Sequence, residues 1–277
     1  MASEVDARTE PFLSSERPRM QPAIRAVLRS VASLVTLTQA DLRFRYGRGP
    51  WRFARWLLEP FALVGVYLLL VVFVLRRPGV APGLSLAAAI LPFLLVISTV
   101  ANAMEALQVR RPILQNMAFE RGLIPISAAL TESAAFSASF LLVVVMMAAY
   151  RVAPTLSLLW LPLVIVVNLY VAVSAAYAAS LLGVWLREFK PFFLSFVRML
   201  FFLGPGLVPL SQTSGGVREI LRLNPLSGLF ESYRDVFLTG QSLAAWELLY
   251  PFAIASAILA VFMPLYRAEQ RQFAKVV

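Results

Sequence analysis

The sequence predicts an all-α integral membrane protein, with six membrane-spanning helices preceded by an amphipathic helix lying in the membrane interface. Three observations carry this. Apolar residues make up 60% of the 277 positions and charged residues only 14%, against roughly 45–50% and about 25% in globular proteins. Six apolar runs then approach or exceed the ~20 residues that a helix needs to cross a bilayer. Finally, the basic residues that give the chain a formal charge of +10 gather on one side of those runs.

Residues 1–21 mix Arg, Glu, Ser and Pro without periodicity and are expected to form a disordered cytoplasmic tail. The first apolar run begins only at Leu57, behind ten Arg residues, so this start is not expected to be a cleaved signal peptide. From Pro22 to Tyr46 the pattern changes. Ile24, Val27, Leu28, Val31, Leu34, Val35, Thr38 and Leu42 recur at helical spacing, with Arg25, Arg29, Gln39 and Arg43 on the other face. Such a basic amphipathic helix, with its exit through residue 56, is expected in the cytoplasmic interface. Its end, Arg43-Phe44-Arg45-Tyr46-Gly47-Arg48, is followed by Trp51, Arg52, Arg55 and Trp56. A membrane anchor satisfies this cluster. The sharper alternative is that Arg43, Arg45 and Arg48 grip an anionic head group at a substrate entrance.

The spans are read as Leu57–Leu75, Leu84–Met104, Ile126–Tyr150, Leu158–Leu182, Phe192–Leu210 and Leu248–Tyr266, within a region 57–277. The fifth is the weakest, because Arg198 lies about two turns in and Gly204-Pro205-Gly206 interrupts its far end. An even number of spans puts both termini on one side. Ten Arg precede the first span, and three basic residues sit after the second, three around the fourth-to-fifth turn and three at the C-terminus. These nineteen face six on the opposite side. The positive-inside rule therefore places both termini in the cytoplasm.

Two connections read as more than links. Between the second and third spans, Pro112 near the start and Gly122 after the last turn bound a short helix presenting Ile113, Leu114 and Met117. Those apolar side chains suit a docking surface or, equally, contact with the membrane interface. On the opposite side, Asn224-Pro225 opens a helix with Leu226, Leu229, Phe230, Tyr233 and Phe237 on one face. Glu231, Arg234 and Asp235 take another face, and Gly240 offers a stop. A helix flat on the outer leaflet and one dipping into it both fit. In the latter case its charges need a protein-lined or wet surrounding.

Inside the spans, Glu132 and Asn102 fall near the cytoplasmic ends of the third and second, and Asn168 lies in the fourth. An intramembrane carboxyl is a functional candidate, but Glu132 is near enough to the surface for plain interfacial placement. Ala172, Ala176 and Ser180 form a small-residue stripe for close helix packing. Tyr67, Phe73, Phe201 and Phe202 offer faces on which sugar rings can stack along a path, or serve as ordinary packing and lipid-facing side chains.

Several chemistries drop out. Without Cys there is no thiol or zinc-cysteine site, and without His the commonest general base and metal ligand is missing. Neither Lys190 nor Lys275 follows a Gly, so there is no phosphate-cradling GxxxxGK[ST] loop. No catalytic, cofactor or metal site is expected, and any ATP must be hydrolysed on another chain.

Together these residues resemble the permease subunit of type-2 ABC exporters, closest to the branch exporting capsular polysaccharide, O-antigen or teichoic acid. The resemblance rests on Arg43-Phe44-Arg45-Tyr46-Gly47, Trp56-Leu57-Leu58-Glu59-Pro60, and Asn116 before Ile124-Pro125. It continues through Arg187-Glu188, Asn224-Pro225-Leu226 with Tyr233-Arg234, and Tyr266-Arg267 with Phe273. Glu188 stands where that family usually has Asp. The resemblance implies a multi-pass homodimer in the cell inner membrane, with the translocation path between protomers. It also implies a separate nucleotide-binding ATPase subunit that carries ATP and Mg, a lipid-linked polysaccharide substrate, and no nucleic-acid partner. It makes Pro112–Gly122 the coupling helix, the first and fifth spans the path lining, and ~Val217–Leu223 with Leu226–Leu238 a re-entrant helical region before the last span. A permease of the same superfamily for drug or small-lipid efflux is the alternative, and a membrane enzyme or scaffold is a more distant one.

Overall fold

The computed structural model describes residues 22–46, 51–76, 79, 81–110 and 121–270, and no strand occurs among them. The helices are α1 (Pro22–Tyr46), α2 (Trp51–Leu69), α3 (Pro82–Val109), α4 (Leu123–Tyr150), α5 (Leu161–Trp185), α6 (Lys190–Phe202), α7 (Gly215–Arg222), α8 (Ser227–Arg234) and α9 (Ala245–Glu269). Single π-helical turns prolong α2 over Leu70–Val74 and α8 over Asp235–Thr239.

α3 is the axis of the fold. It is apolar on every side, which suits a helix surrounded by protein, and α2, α4, α5, α6 and α8 all pack against it. Its Leu84, Ala87, Ala88, Leu91 and Ala103 are almost wholly buried. By contrast α4, α5 and α9 keep Val144, Val166 and Val261 exposed on their outer faces, where an apolar helix needs lipid rather than water. These three and α3 are long and apolar enough to cross a membrane.

The other two expected spans are shorter. α2 and its π-turn run beside α3 for the length of a span, from Glu59 near Glu132 to Val71 near Ser85, but only Leu58–Val74 is an apolar helical stretch. α6 begins with Lys190 paired to Glu105 and ends after 13 residues. The chain then reaches the level of Ser85 through the turns around Gly204 and Gly206, since Arg234 binds both Ser85 and Gly206. Gly-Pro-Gly cannot hold helical geometry there, so the predicted span over Phe192–Leu210 is half helix and half turn. Of the six predicted spans, four are thus long apolar helices among the described residues.

The small-residue stripe meets the axis as expected. Ala172, Ala176 and Ser180 are fully buried, and the Ser180 hydroxyl donates to the Ala103 carbonyl at 3.2 Å. Gly183 extends the stripe by one turn and marks the closest approach: a Cβ there would stand 2.2 Å from the Met104 carbonyl oxygen. Gly183→Ala is therefore expected to cost about 1–3 kcal/mol by overpacking, read as a fall of several degrees in Tm in detergent. Gly65→Ala, with nothing within 4 Å of the new Cβ, is expected to leave Tm unchanged or slightly higher, since alanine is the better helix former.

α1 has the bounds expected of it and lies against α4, with Leu37 buried while Leu28, Val31 and Val35 stay exposed. The segment after α6 departs more from expectation. α7 buries nothing and turns Val217, Ile220 and Leu223 outward, as a helix on a surface does. α8 is the reverse, with Leu229, Phe230 and Tyr233 at zero exposure among α3, α5 and α9. The flat placement fails for α8 because its polar face is buried along with its apolar one. Gly240, at φ 65°, ends the π-turn in the left-handed conformation that glycine adopts without strain.

Candidate functional site

Three regions concentrate the polar chemistry, and they lie at three levels along α3. The first flanks residues 111–120. Of the expected coupling residues, Pro112, Ile113, Leu114 and Met117 lie outside the described residues, while Gly122 immediately precedes α4. What is described is the frame that holds this connection. At its start, Arg110 is buried, pairs with Asp41 of α1, and donates to the Ile124 carbonyl at 3.4 Å. At its end, the Tyr266 hydroxyl donates to the Arg121 carbonyl at 3.0 Å and the Tyr177 hydroxyl to the Gly122 carbonyl at 2.9 Å. Arg121 in turn donates to the Gln270 carbonyl. The two tyrosine rings meet edge to face, 5.4 Å apart. Helices α1, α5 and α9 are thereby fastened to Arg110, Arg121 and Gly122, the described residues on either side of 111–120.

The second region is a cavity of about 490 Å³ midway along the bundle, between α2, α3, α4 and α6. Glu59, Tyr67, Phe93, Glu132, Arg198 and Phe202 are among its lining residues. Glu132 is buried within the protein and accepts a hydrogen bond from Asn102 at 3.2 Å, because α4 brings it onto the flank of α3. Of these charged groups Glu132 is buried, whereas Glu59 and Arg198 are exposed, and charges inside a bilayer require such a wet or protein-lined surrounding. Of the expected path residues, Tyr67, Phe201 and Phe202 come together: Tyr67 stacks on Phe201 at 5.6 Å and meets Phe202 edge-on at 5.9 Å. Phe201 is buried behind the wall and also touches Phe93. Phe73 stands apart, exposed on the π-turn of α2. At the expected entrance, Arg43 is exposed at the end of α1, whereas the side chain of Arg45 and all of Arg48 lie outside the described residues.

The third region lies at the opposite end from 111–120. Here Arg234, which sequence reasoning put on the polar face of a helix either flat on the outer leaflet or dipping into it, is buried. Its Nε donates to the Ser85 hydroxyl at 3.1 Å, its Nη2 to the Gly206 carbonyl at 3.0 Å and its Nη1 to Glu231 at 2.6 Å. Glu231 also accepts from the Leu210 amide at 3.2 Å. One guanidinium thus joins the start of α3, the exit of α6 and α8. Burial lowers its pKa, opposed by the charge of Glu231, while burial raises that of the neighbouring Asp235 carboxyl despite the Thr239 hydroxyl bonded to it. Beside this knot, a cavity of about 750 Å³ opens between residues 209–212, α7, the π-turn and the start of α9.

No protein-family model matches the chain. It is similar to the O-antigen export system permease protein RfbA of Myxococcus xanthus, 26% identical over 245 residues that cover 87% of this chain and 94% of that protein. Two RfbA permease proteins of Klebsiella pneumoniae, also of O-antigen export systems, are 24% and 22% identical over 208 residues, 75% of this chain and 80% of theirs. The resemblance drawn from scattered short motifs therefore extends over most of the chain.

Proposed function

We propose that this chain is the transmembrane subunit of an ABC exporter that moves a lipid-linked polysaccharide across the cell inner membrane, driven by ATP and Mg on a separate ATPase subunit. The observation that carries the reading is the likeness to O-antigen export permeases over 75–87% of the chain. The geometry supports it. A mid-depth cavity walled by Tyr67, Phe93 and Phe202, with Glu59, Glu132 and Arg198 for hydroxyls and phosphate, has both the flat faces and the polar groups that a glycan needs.

In this reading all six predicted spans cross the membrane, α2 and α6 included, and a homodimer places the path between two protomers along α2 and α6. Residues 112–122 form the coupling helix on the ATPase, and Arg43, Arg45 and Arg48 meet the phosphate of the lipid carrier. The frame around 111–120 gives the mechanical sense: a push on that segment is passed through Arg110 and Asp41 to α1, through Tyr177 to α5 and through Tyr266 to α9.

Deleting this chain's gene is expected to abolish surface polysaccharide and leave lipid-linked polysaccharide inside the cell, with restoration only when the permease and its ATPase are both present. Unchanged surface polysaccharide together with new drug sensitivity would favour efflux of a small molecule instead. The orientation has its own test, made clean by the natural absence of Cys. Cys introduced at Ser15 or Ala274 is expected to be shielded from an impermeant thiol reagent in intact cells, and Cys at Thr213 to react. Reaction at either terminal position would reverse the topology.

A further inference from the structure

The cavity of about 750 Å³ at the end opposite 111–120 has no part in the scheme above, and its lining argues for a ligand. Its volume lies within the range of small-molecule sites. Glu247, at the start of α9, is 5% exposed, and its Oε2 has no hydrogen-bond partner. A buried carboxyl oxygen left unpaired is costly, and this residue lines the cavity, so a donor delivered into the cavity relieves that cost. Next to it, Trp246 is half-buried, with the Arg222 guanidinium 5.3 Å from its ring centre. The Arg222 Nε likewise lacks a partner. Thr239, Gln241 and Ser242 add groups that both donate and accept.

Charge narrows the ligand class. Around the same space Glu231 and Asp235 face Arg218, Arg222 and Arg234, and the Glu247 carboxyl, hydrogen-bonded to that of Asp235, shares a proton with it, so the field is close to balance and neither a cation nor a polyanion is favoured. An indole beside unpaired carboxyl and guanidinium atoms, in a balanced field, suits a neutral molecule with one flat apolar face and a rim of hydroxyls. We infer that this cavity is a saccharide-binding site that holds sugar units of the exported chain as they leave the path. The inference rests on the export reading and adds to it a site at the exit. The face of Trp246 turned away from Arg222 supplies the stacking surface, Glu247 hydrogen-bonds to a sugar hydroxyl, and Arg222 donates to one.

The test places a photoreactive benzoylphenylalanine at Gln241, which is exposed at the rim, in cells making their polysaccharide and in cells lacking the first glycosyltransferase. Irradiation is expected to convert the permease into a periodate-sensitive ladder in the first cells only. Trp246→Ala is expected to lower that yield about fivefold, and Trp246→Phe to keep most of it, as loss and retention of one aromatic face predict. The same probe at Val144, exposed on the outer face of α4, is expected to give no ladder. Should the probe at Gln241 block export, Ser242, also exposed, takes its place. Absence of a ladder at both positions while export proceeds overturns the site, as does an equal ladder at Val144 or a yield indifferent to Trp246→Ala. Failure of the export reading is distinct: surface polysaccharide then persists when the gene is deleted.

Discussion

Arg234→Met is expected to destabilise the protein by about 3–5 kcal/mol, the cost of removing one partner from a buried ion pair. Methionine keeps much of the volume, so the loss is electrostatic. Glu231 is left with the Leu210 amide alone, and the Ser85 hydroxyl and Gly206 carbonyl lose their donor. A typical domain is stable by only about 5–15 kcal/mol, so this is a large share. The result is read as a much lower Tm of the purified protein and low recovery from the membrane. Arg234→Lys is expected to rescue little, because a single ammonium cannot reach three acceptors lying around a planar fork. Adding Glu231→Gln to Arg234→Met removes the stranded charge and is expected to recover part of the loss. If Arg234→Met costs less than about 1 kcal/mol, in the range of an exposed pair, Arg234 is not the knot that joins α3, α6 and α8.

The difference between what sequence reasoning reached and what it missed follows from what each signal measures. Apolar runs and helix punctuation are local, so the bounds of α1, the stop at Gly240 and the weakness of the fifth span at Gly204-Pro205-Gly206 were all legible. The stripe Ala172, Ala176, Ser180 was legible too, because small side chains at four-residue spacing have few uses other than close approach, and its partner is the axis helix. Burial of a charge is not local. Arg234 and Glu231 look like a solvated i, i+3 pair until Ser85, 149 residues away, and Gly206 are brought to them. The burial of Glu132 was hidden for the same reason, since its partner Asn102 lies 30 residues away on another helix. The tyrosines that clamp the 111–120 segment gave no signal at all: a phenol in an apolar helix reads as packing, and only the fold shows that Tyr177 and Tyr266 reach carbonyls 55 and 145 residues away. Local pattern therefore revealed the helices and the family likeness, while the polar groups that tie helices together came from the assembled fold.

Those ties give the expected behaviour of the 111–120 connection. Ile113, Leu114 and Met117 are proposed to seat in a groove on the ATPase, where each apolar side chain contributes roughly 1.5–3 kcal/mol by area, before the cost of association reduces the sum. Leu114→Asp with Met117→Asp is therefore expected to weaken ATPase binding by about a hundredfold or more and to abolish export, while insertion and Tm stay near wild type. Tyr177→Phe with Tyr266→Phe separates holding from transmitting. It removes two hydroxyls worth about 0.5–1.5 kcal/mol each and leaves the Arg121 and Gly122 carbonyls without them, but it touches neither Leu114 nor Met117. The ATPase is expected to remain bound and to hydrolyse ATP while glycan export falls several-fold, because the segment no longer pulls α5 and α9 with it. Co-purification of the ATPase, its turnover and surface polysaccharide, measured on the same cells, decide the matter. Normal ATPase recovery in the aspartate pair removes the docking role from these side chains. Normal export in the phenylalanine pair means that force reaches the path by some route other than the clamp at Arg121 and Gly122.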